Sequence, residues 1–348
     1  ILEQKIAVLG TGANGSSAAA DLTKAGYDVH LIDQWPEHVE VMRRDGVKIS
    51  MPDEELCVPV EAYHLCELAS MTCKYDVVFL FTKSYDTRWA CELIKPYLHR
   101  EGLLVGVQNA MTVDDIVEIV GEERTLGCVI ELSSEIFTPG LVKRNTPHSK
   151  TWFGVGNISA KTLGREKEIT ELLSHVGKVS ISEDIMSAKW MKLIINTMCL
   201  APIALTGLSA AEGPKLPGMR EMIFKIGTEA LNVGQALGYR IQPIFGLTQD
   251  EVKDTNRLLE TLFEKLLADI GPAARDCTLQ DHLKGRKSEV EDINGLIVNK
   301  GKEVGVVTRC NSVIVEVTRR IQLGELSPSP STFEIAKSMI NNLDKSTN

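Results

Sequence analysis

The chain has 348 residues, 43% hydrophobic and 24% charged, the balance of an ordinary globular protein with two or three domains. A formal net charge of −9 argues against a nucleic-acid or anionic-membrane surface. The longest apolar runs, residues 77–81 and 193–205, are too short or too polar to span a bilayer. The opening residues, with Glu3 and Lys5 close together, do not read as a secretory signal.

Residues 5–9 form an apolar run that reads as a strand, followed by a G-x-G-x-x-G turn (Gly10, Gly12, Gly15). An Ala-rich helix over 16–25 and a second strand over 28–32 come next, and Asp33 stands at the tip of that strand. This is the pattern of a dinucleotide-binding βαβ unit. Gly10 permits the tight turn, Gly12 lets the backbone approach a pyrophosphate, and Gly15 lets helix and strand pack closely. Ala13 and Asn14 open the helix, whose amides would face the phosphates with the positive end of the dipole. A carboxylate at position 33 accepts hydrogen bonds from ribose hydroxyls and repels a 2′-phosphate, so NAD(H) is expected over NADP(H).

Further strands are predicted over 77–82, 103–107, 127–131, 141–143, 151–155 and 179–182, with short antiparallel strands over 45–65. From 186 to 322 the periodicity is helical, broken by Gly-Pro pairs at 213–214 and 271–272. A turn-rich connector over 327–332 precedes a last helix near 333–343. The expected architecture is an α/β Rossmann-type domain over 1–184, then an all-α domain over 185–348. The cysteines at 57, 66, 73, 91, 128, 199, 277 and 310 have no C-x-x-C spacing, which fits free thiols in a reducing cytoplasm. His64 and Cys66 lack a second cluster to complete a metal site, so no metal is expected.

Four segments carry reactive groups. Lys83 follows the strand ending at 82, at a carboxyl edge where ligands of open α/β sheets bind, and Asn109 ends the next strand on the same rim. Lys192 and Asn196 stand four apart on one helical face, after Trp190. Cys277 and Thr278 begin a polar stretch that runs on to Glu289 and the sequence Ser288-Glu-Val-Glu-Asp-Ile-Asn-Gly295.

Taken in order along nearly the whole chain, these residues resemble the ketopantoate reductase family. The resemblance implies a Rossmann domain, a helical domain and a small-molecule substrate bound in the cleft between them. Lys83 corresponds to the lysine after the family's fourth Rossmann strand, and Asn109 to the asparagine of its Q-N-G motif. Lys192 corresponds to the catalytic lysine of W-x-K-L-x-x-N, Asn196 to the asparagine that follows, and Glu289 to the glutamate of T-E-I-D-x-I-N-G. In carbonyl reduction negative charge grows on the carbonyl oxygen, and a lysine ammonium there stabilises it and delivers the proton. Glu289 would hold that ammonium, Lys83, Asn109 and Glu289 would contribute to coenzyme binding, and Asn109 and Asn196 would also hold the substrate.

Three departures bear on the substrate. The family's second helix asparagine is Leu200, the serine twelve residues before the glutamate is Cys277, and the glycine of Q-N-G is Ala110. Losing an amide and a hydroxyl removes hydrogen-bond partners and adds apolar surface, with Thr278 the nearest substitute for the hydroxyl. The family usually prefers NADPH and carries a basic residue where Asp33 stands. The reading is therefore an NAD(H)-dependent oxidoreductase for a hydroxy or keto compound other than ketopantoate. A true 2-dehydropantoate 2-reductase and a non-catalytic dinucleotide sensor are the alternatives. An opine-type dehydrogenase, with His282 beside Asp281 as its pair, is more distant. A homodimer is expected from the helical domain.

Overall fold

A computed structural model describes residues 4–345. The chain forms two compact units, Ile1–Met186 and Ser187–Asn348.

The first unit is built on an eight-stranded sheet and a second, four-stranded one. Its strands are β1 (Lys5–Leu9), β2 (Asp28–Asp33), β3 (Val47–Ser50), β4 (Glu55–Val58), β5 (Glu61–His64) and β6 (Tyr75–Leu80). They continue as β7 (Leu98–Gly106), β8 (Thr125–Glu131), β9 (Ser134–Thr138), β10 (Leu141–Arg144), β11 (Trp152–Asn157) and β12 (Lys178–Ile181). The helices are α1 (Ala13–Lys24), α2 (Pro36–Asp45), α3 (Thr87–Ile94), α4 (Val113–Val120) and α5 (Glu166–Leu173).

The large sheet runs β12-β11-β8-β7-β6-β1-β2-β5 and is parallel throughout except where β11 meets β8. Strand order reverses at β1/β6, which places the ligand crevice of an open α/β sheet beside Gly10. Alternate residues sort to opposite faces, as the two-residue period requires. Ile6, Val8, Val77 and Phe79 join one core layer, whereas Ala7, Leu9, Val78 and Leu80 join the other. Both faces are covered, so these strands read as unbroken apolar runs.

The small sheet runs β4-β3-β10-β9 and packs on α1. The antiparallel pair expected over 45–65 is β3 with β4, but β5 instead extends the large sheet, parallel to β2. β9 escaped the sequence reading because its burial runs in a block rather than alternating. Arg144 on β10 is wholly buried and makes four hydrogen bonds: it donates to Asp21 of α1 at 2.8 Å, to the Thr146 and Val176 carbonyls and to the Thr151 hydroxyl. α1 begins at Ala13, three residues earlier than the periodicity indicates.

The second unit is helical: α6 (Ile185–Cys199, from Ser187 onward in this unit), α7 (Ala201–Ala204), α8 (Met219–Ala236), α9 (Gln249–Val252) and α10 (Leu258–Ile270). α11 (Cys277–Leu283), α12 (Asn294–Val304), α13 (Arg309–Gln322) and α14 (Pro330–Lys345) complete it. Two glycines on one face of α8 let α6 sit close. A Cβ at Gly227 would lie 2.4 Å from the Met198 sulfur, and one at Gly234 would lie 2.0 Å from Trp190 Nε1. Trp190 stacks on Tyr239 and donates to the Ala230 carbonyl, fixing the rotation of α6. Asn294 then donates to the Thr197 carbonyl in the last turn of α6 and to Asn311. α14 starts at Pro330, where proline suits the first helical position, rather than near Phe333. Among the described residues no helix is long and apolar enough to cross a membrane, and the eight cysteines carry no disulfide.

Candidate active site

The glycine turn in the first unit has the shape its sequence implies. Gly10 has φ +89°, and a Cβ there would lie 2.8 Å from the Thr82 amide nitrogen. A Cβ on Gly15 would fall 2.1 Å from the Gly10 carbonyl oxygen. Gly12 differs: it is exposed, and a Cβ there would meet nothing within 4 Å. Gly10 and Gly15 are thus required by the fold, whereas Gly12 leaves its backbone open to a ligand. Gly12 caps α1, with Ala13 and Asn14 in the first turn and no acidic residue there, so the helix amides face an approach suited to an anion. Asn14 accepts a hydrogen bond from Ser134 at 2.5 Å. The residues present fit a dinucleotide pyrophosphate.

Asp33 is more deeply built in than the sequence suggests. It is buried; Oδ2 accepts the Thr11 amide at 2.6 Å and the Thr11 hydroxyl at 3.1 Å, and Oδ1 accepts the Trp35 amide at 2.8 Å. The carboxylate therefore ties β2 to the glycine turn. Each carboxylate oxygen has two acceptor sites, and the Trp35 amide takes one of those on Oδ1. His38, buried beneath, contacts the Thr11 carbonyl and Ser16 and accepts from the Gly140 amide; burial holds its pKa below the usual histidine value.

Lys83 precedes a short 3₁₀ turn (Ser84–Asp86), half-buried, in the loop after β6. Asn109 is half-buried after β7. Gln108, which sequence reasoning passed over, clamps the two loops: its amide donates to the Thr82 carbonyl and the Thr87 hydroxyl, and its oxygen accepts from Thr112. Ala110 adopts φ +69°, the left-handed region that glycine occupies without strain.

In the second unit Lys192, Asn196 and Cys199 follow the i, i+4, i+7 spacing of one face of α6. The Lys192 ammonium stands 5.5 Å from the centroid of the Phe245 ring, and Phe245 itself holds a left-handed φ of +59°. Cation–π attraction of this kind favours the charged ammonium. The Asn196 side chain is 3% exposed, and its Nδ2 has no hydrogen-bond partner. Leu200 is half-buried at the break between α6 and α7, Cys277 is half-buried, Thr278 is buried, and Glu289 is buried in the turn before α12. Neighbouring Glu291 is instead bound at the surface by Arg319.

Asp276 was missed. It caps α11 through Oδ1, which accepts the Leu279 amide at 2.9 Å, and its Oδ2 is buried without a partner. An aspartate before a helix is an ordinary cap signal, so nothing in the sequence marked the second oxygen. His282 lies on the next turn of α11; burial pushes its pKa down to about 4, and its Nε2 is buried without a partner. Asp281 and His282 are adjacent on α11, and consecutive residues on a helix do not face each other.

Residues 6–157 match the family model described as ketopantoate reductase PanE/ApbA, and residues 184–322 match the model of its C-terminal part. The chain belongs to the ketopantoate reductase family. It is accordingly a ketopantoate reductase-like oxidoreductase. Among curated relatives, the 2-dehydropantoate 2-reductase of Archaeoglobus fulgidus is 23% identical over 92% of this chain and 99% of its own length. That of Aquifex aeolicus is 27% identical over 92% and 98%. Two solved structures share the fold: a D-mandelate dehydrogenase with NADH and anilino(oxo)acetate (TM-score 0.81, 22% identity, covering 92% of this chain and 99% of that one) and the PanE/ApbA family ketopantoate reductase of Ralstonia eutropha (TM-score 0.75, 24% identity, covering 92% and 98%). In the ketopantoate reductase family pattern a glycine stands where Ala110 holds its left-handed φ, and an asparagine and a serine stand where this chain has Leu200 and Cys277.

Proposed function

We propose that this protein is an NAD(H)-dependent oxidoreductase that interconverts a carbonyl and a hydroxyl group on a small 2-keto or 2-hydroxy acid other than ketopantoate. Residues 1–184 serve as the dinucleotide domain and 185–348 as the substrate and dimerisation domain of a cytoplasmic homodimer. The observation that carries the reading is the α6 face, where a half-buried lysine over an aromatic ring is followed one turn on by a buried asparagine with a free amide donor. A solvated helix lysine needs neither neighbour.

Gly10, Gly12, Ala13, Asn14 and Gly15 would hold the pyrophosphate, Asp33 the adenosine ribose, and Lys83, Asn109 and Glu289 the remaining polar groups of the coenzyme. When bound, the nicotinamide supplies or accepts the hydride. Lys192 stabilises the charge that grows on the carbonyl oxygen and gives it a proton; in the reverse direction it takes the hydroxyl proton. Asn196 donates from Nδ2 to substrate oxygen, holding the substrate in place for attack. Glu289 keeps the lysine charged and placed. Leu200 and Cys277 offer an apolar wall where the family pattern has an amide and a hydroxyl, which favours a substrate with an apolar side group.

A panel of 2-keto acids with NADH and NADPH, and of 2-hydroxy acids with NAD, tests this. The expected result is turnover with NADH of a 2-keto acid bearing an apolar side chain. The names of the curated relatives favour a second reading, reduction of ketopantoate itself. Efficient ketopantoate reduction with NADPH, and none with the other acids, would decide for it.

A further inference from the structure

Asp276 and Asn196 both present a buried polar atom with no partner: Oδ2 of Asp276 and Nδ2 of Asn196. α11, which Asp276 caps, packs on α7, and α7 follows α6, which carries Asn196, after the single residue Leu200. The buried Cys199 thiol, on the Lys192–Asn196 face of α6, lies within electrostatic range of both Asp276 and Lys192. Leaving such atoms unsatisfied costs the fold free energy, and a chain tolerates that where a ligand completes the set. We propose that Asp276 is a specificity-determining residue that reads the carboxylate of the substrate, Oδ2 binding one carboxylate oxygen while Asn196 Nδ2 binds the other.

This rests on the 2-keto acid reading above and names the groups that recognise the acid end. Oδ1 of Asp276 already accepts the Leu279 amide, so a proton on the carboxyl belongs on Oδ2, where it becomes a donor with no acceptor in the protein. A neutral carboxyl with an outward O–H suits an anion, whereas an ionised one repels it. Burial pushes the Asp276 pKa up to about 8; the Leu279 and Thr278 amides oppose this and Asp281 adds to it. The titratable groups near it are Cys199 from α6, Asp281 on α11 itself, and Arg275 and Cys277 as chain neighbours; α7, packed on α11, carries no titratable group. The Cys199 thiol, pushed up to about 12 chiefly by burial, stays neutral below that pH. Stripped of its proton, Asp276 loses its donor and gains a repelling charge, so carboxylate binding weakens as pH rises through about 8.

The test is calorimetric titration of the full-length protein, with NADH present, by oxamate, a 2-keto acid isostere that is not reduced. Between pH 7.0 and 9.5 the wild-type Kd should rise about thirtyfold, as a single ionisation near pH 8 dictates. Asp276→Asn keeps a cap and an amide donor but cannot ionise, so its Kd should stay within about threefold of its own pH 7.0 value over that range. Asp276→Ala should weaken oxamate at least about tenfold at pH 7.0. No oxamate binding at pH 7.0, a flat wild-type profile, or a wild-type rise retained in Asp276→Asn would overturn the assignment. If oxamate binds with the Asp276-dependent profile but no 2-keto acid is reduced, the reductase reading fails and the carboxylate site stands. Reduction without that profile has the opposite meaning.

Discussion

Replacing Asp33 with alanine separates its two duties, shaping the glycine turn and choosing the coenzyme. Its carboxylate accepts three hydrogen bonds, at 2.6 and 3.1 Å from Thr11 and 2.8 Å from Trp35, at a site 8% exposed. Hydrogen bonds to a charged group contribute about 1.5–3 kcal/mol each, but water reaching the opened strand tip recovers part, so a net loss of about 3 kcal/mol is expected. For a unit the size of Ile1–Met186, unfolding shifts about 2–4 °C per kcal/mol, so its melting temperature should fall by about 6–12 °C. Differential scanning calorimetry without coenzyme measures this directly. Nicotinamide fluorescence titration then gives the second readout. NADH binding should weaken at least about tenfold, and NADPH should not gain, because the turn that holds the pyrophosphate is loosened together with the ribose site. A melting shift under about 2 °C would refute the structural role, and a variant that melts normally and prefers NADPH would show that Asp33 acts on the coenzyme alone.

Other outcomes follow from single side chains. Gly12→Ala should fold as the wild type does, since a Cβ there meets nothing within 4 Å, yet lose NADH affinity; Gly15→Ala, whose Cβ would lie 2.1 Å from the Gly10 carbonyl, should fail to accumulate as folded protein. Equal NADH binding by Gly12→Ala and wild type would remove the pyrophosphate from this turn. Lys192→Ala should lower kcat by about two to four orders of magnitude with folding unchanged by circular dichroism, and near-normal kcat would take it out of the proton transfer. His282 titrates near 6.5 in the unfolded chain but near 4 in the fold, so between those values only the unfolded chain binds the proton. Stability should therefore drop as pH falls from 6.5 to 4, by at most about 3 kcal/mol from this group, and less in His282→Gln; parallel denaturation curves for the two proteins would count against that assignment.

The sequence made the dinucleotide half legible because its constraints are local. A tight turn, a close helix and an open backbone must each be glycine, and Gly10, Gly15 and Gly12 meet those needs within six residues. Lys192 and Asn196 were legible for a similar reason, since a four-residue interval fixes a shared face. The rest depends on contacts distant along the chain. Gln108 joins the loops at 82–87 and 108–112, Phe245 reaches Lys192 from more than fifty residues away, and α6 keeps its place only because glycines on α8 admit Trp190 and Met198.

Asp276 is the sharper case. As a cap it would be interchangeable with serine or asparagine, and its neighbour Cys277 drew attention only as the site of a lost hydroxyl. Once the fold buries one oxygen of Asp276 without a partner, that loss reads differently. Where the family pattern has a serine hydroxyl at position 277, this chain has a thiol there and a carboxyl one residue earlier. A hydroxyl serves ligands of either polarity at any pH, whereas a carboxyl of raised pKa serves an anion only while protonated. The exchange narrows recognition to the acid end of the substrate, and the apolar Leu200 leaves the other end to shape.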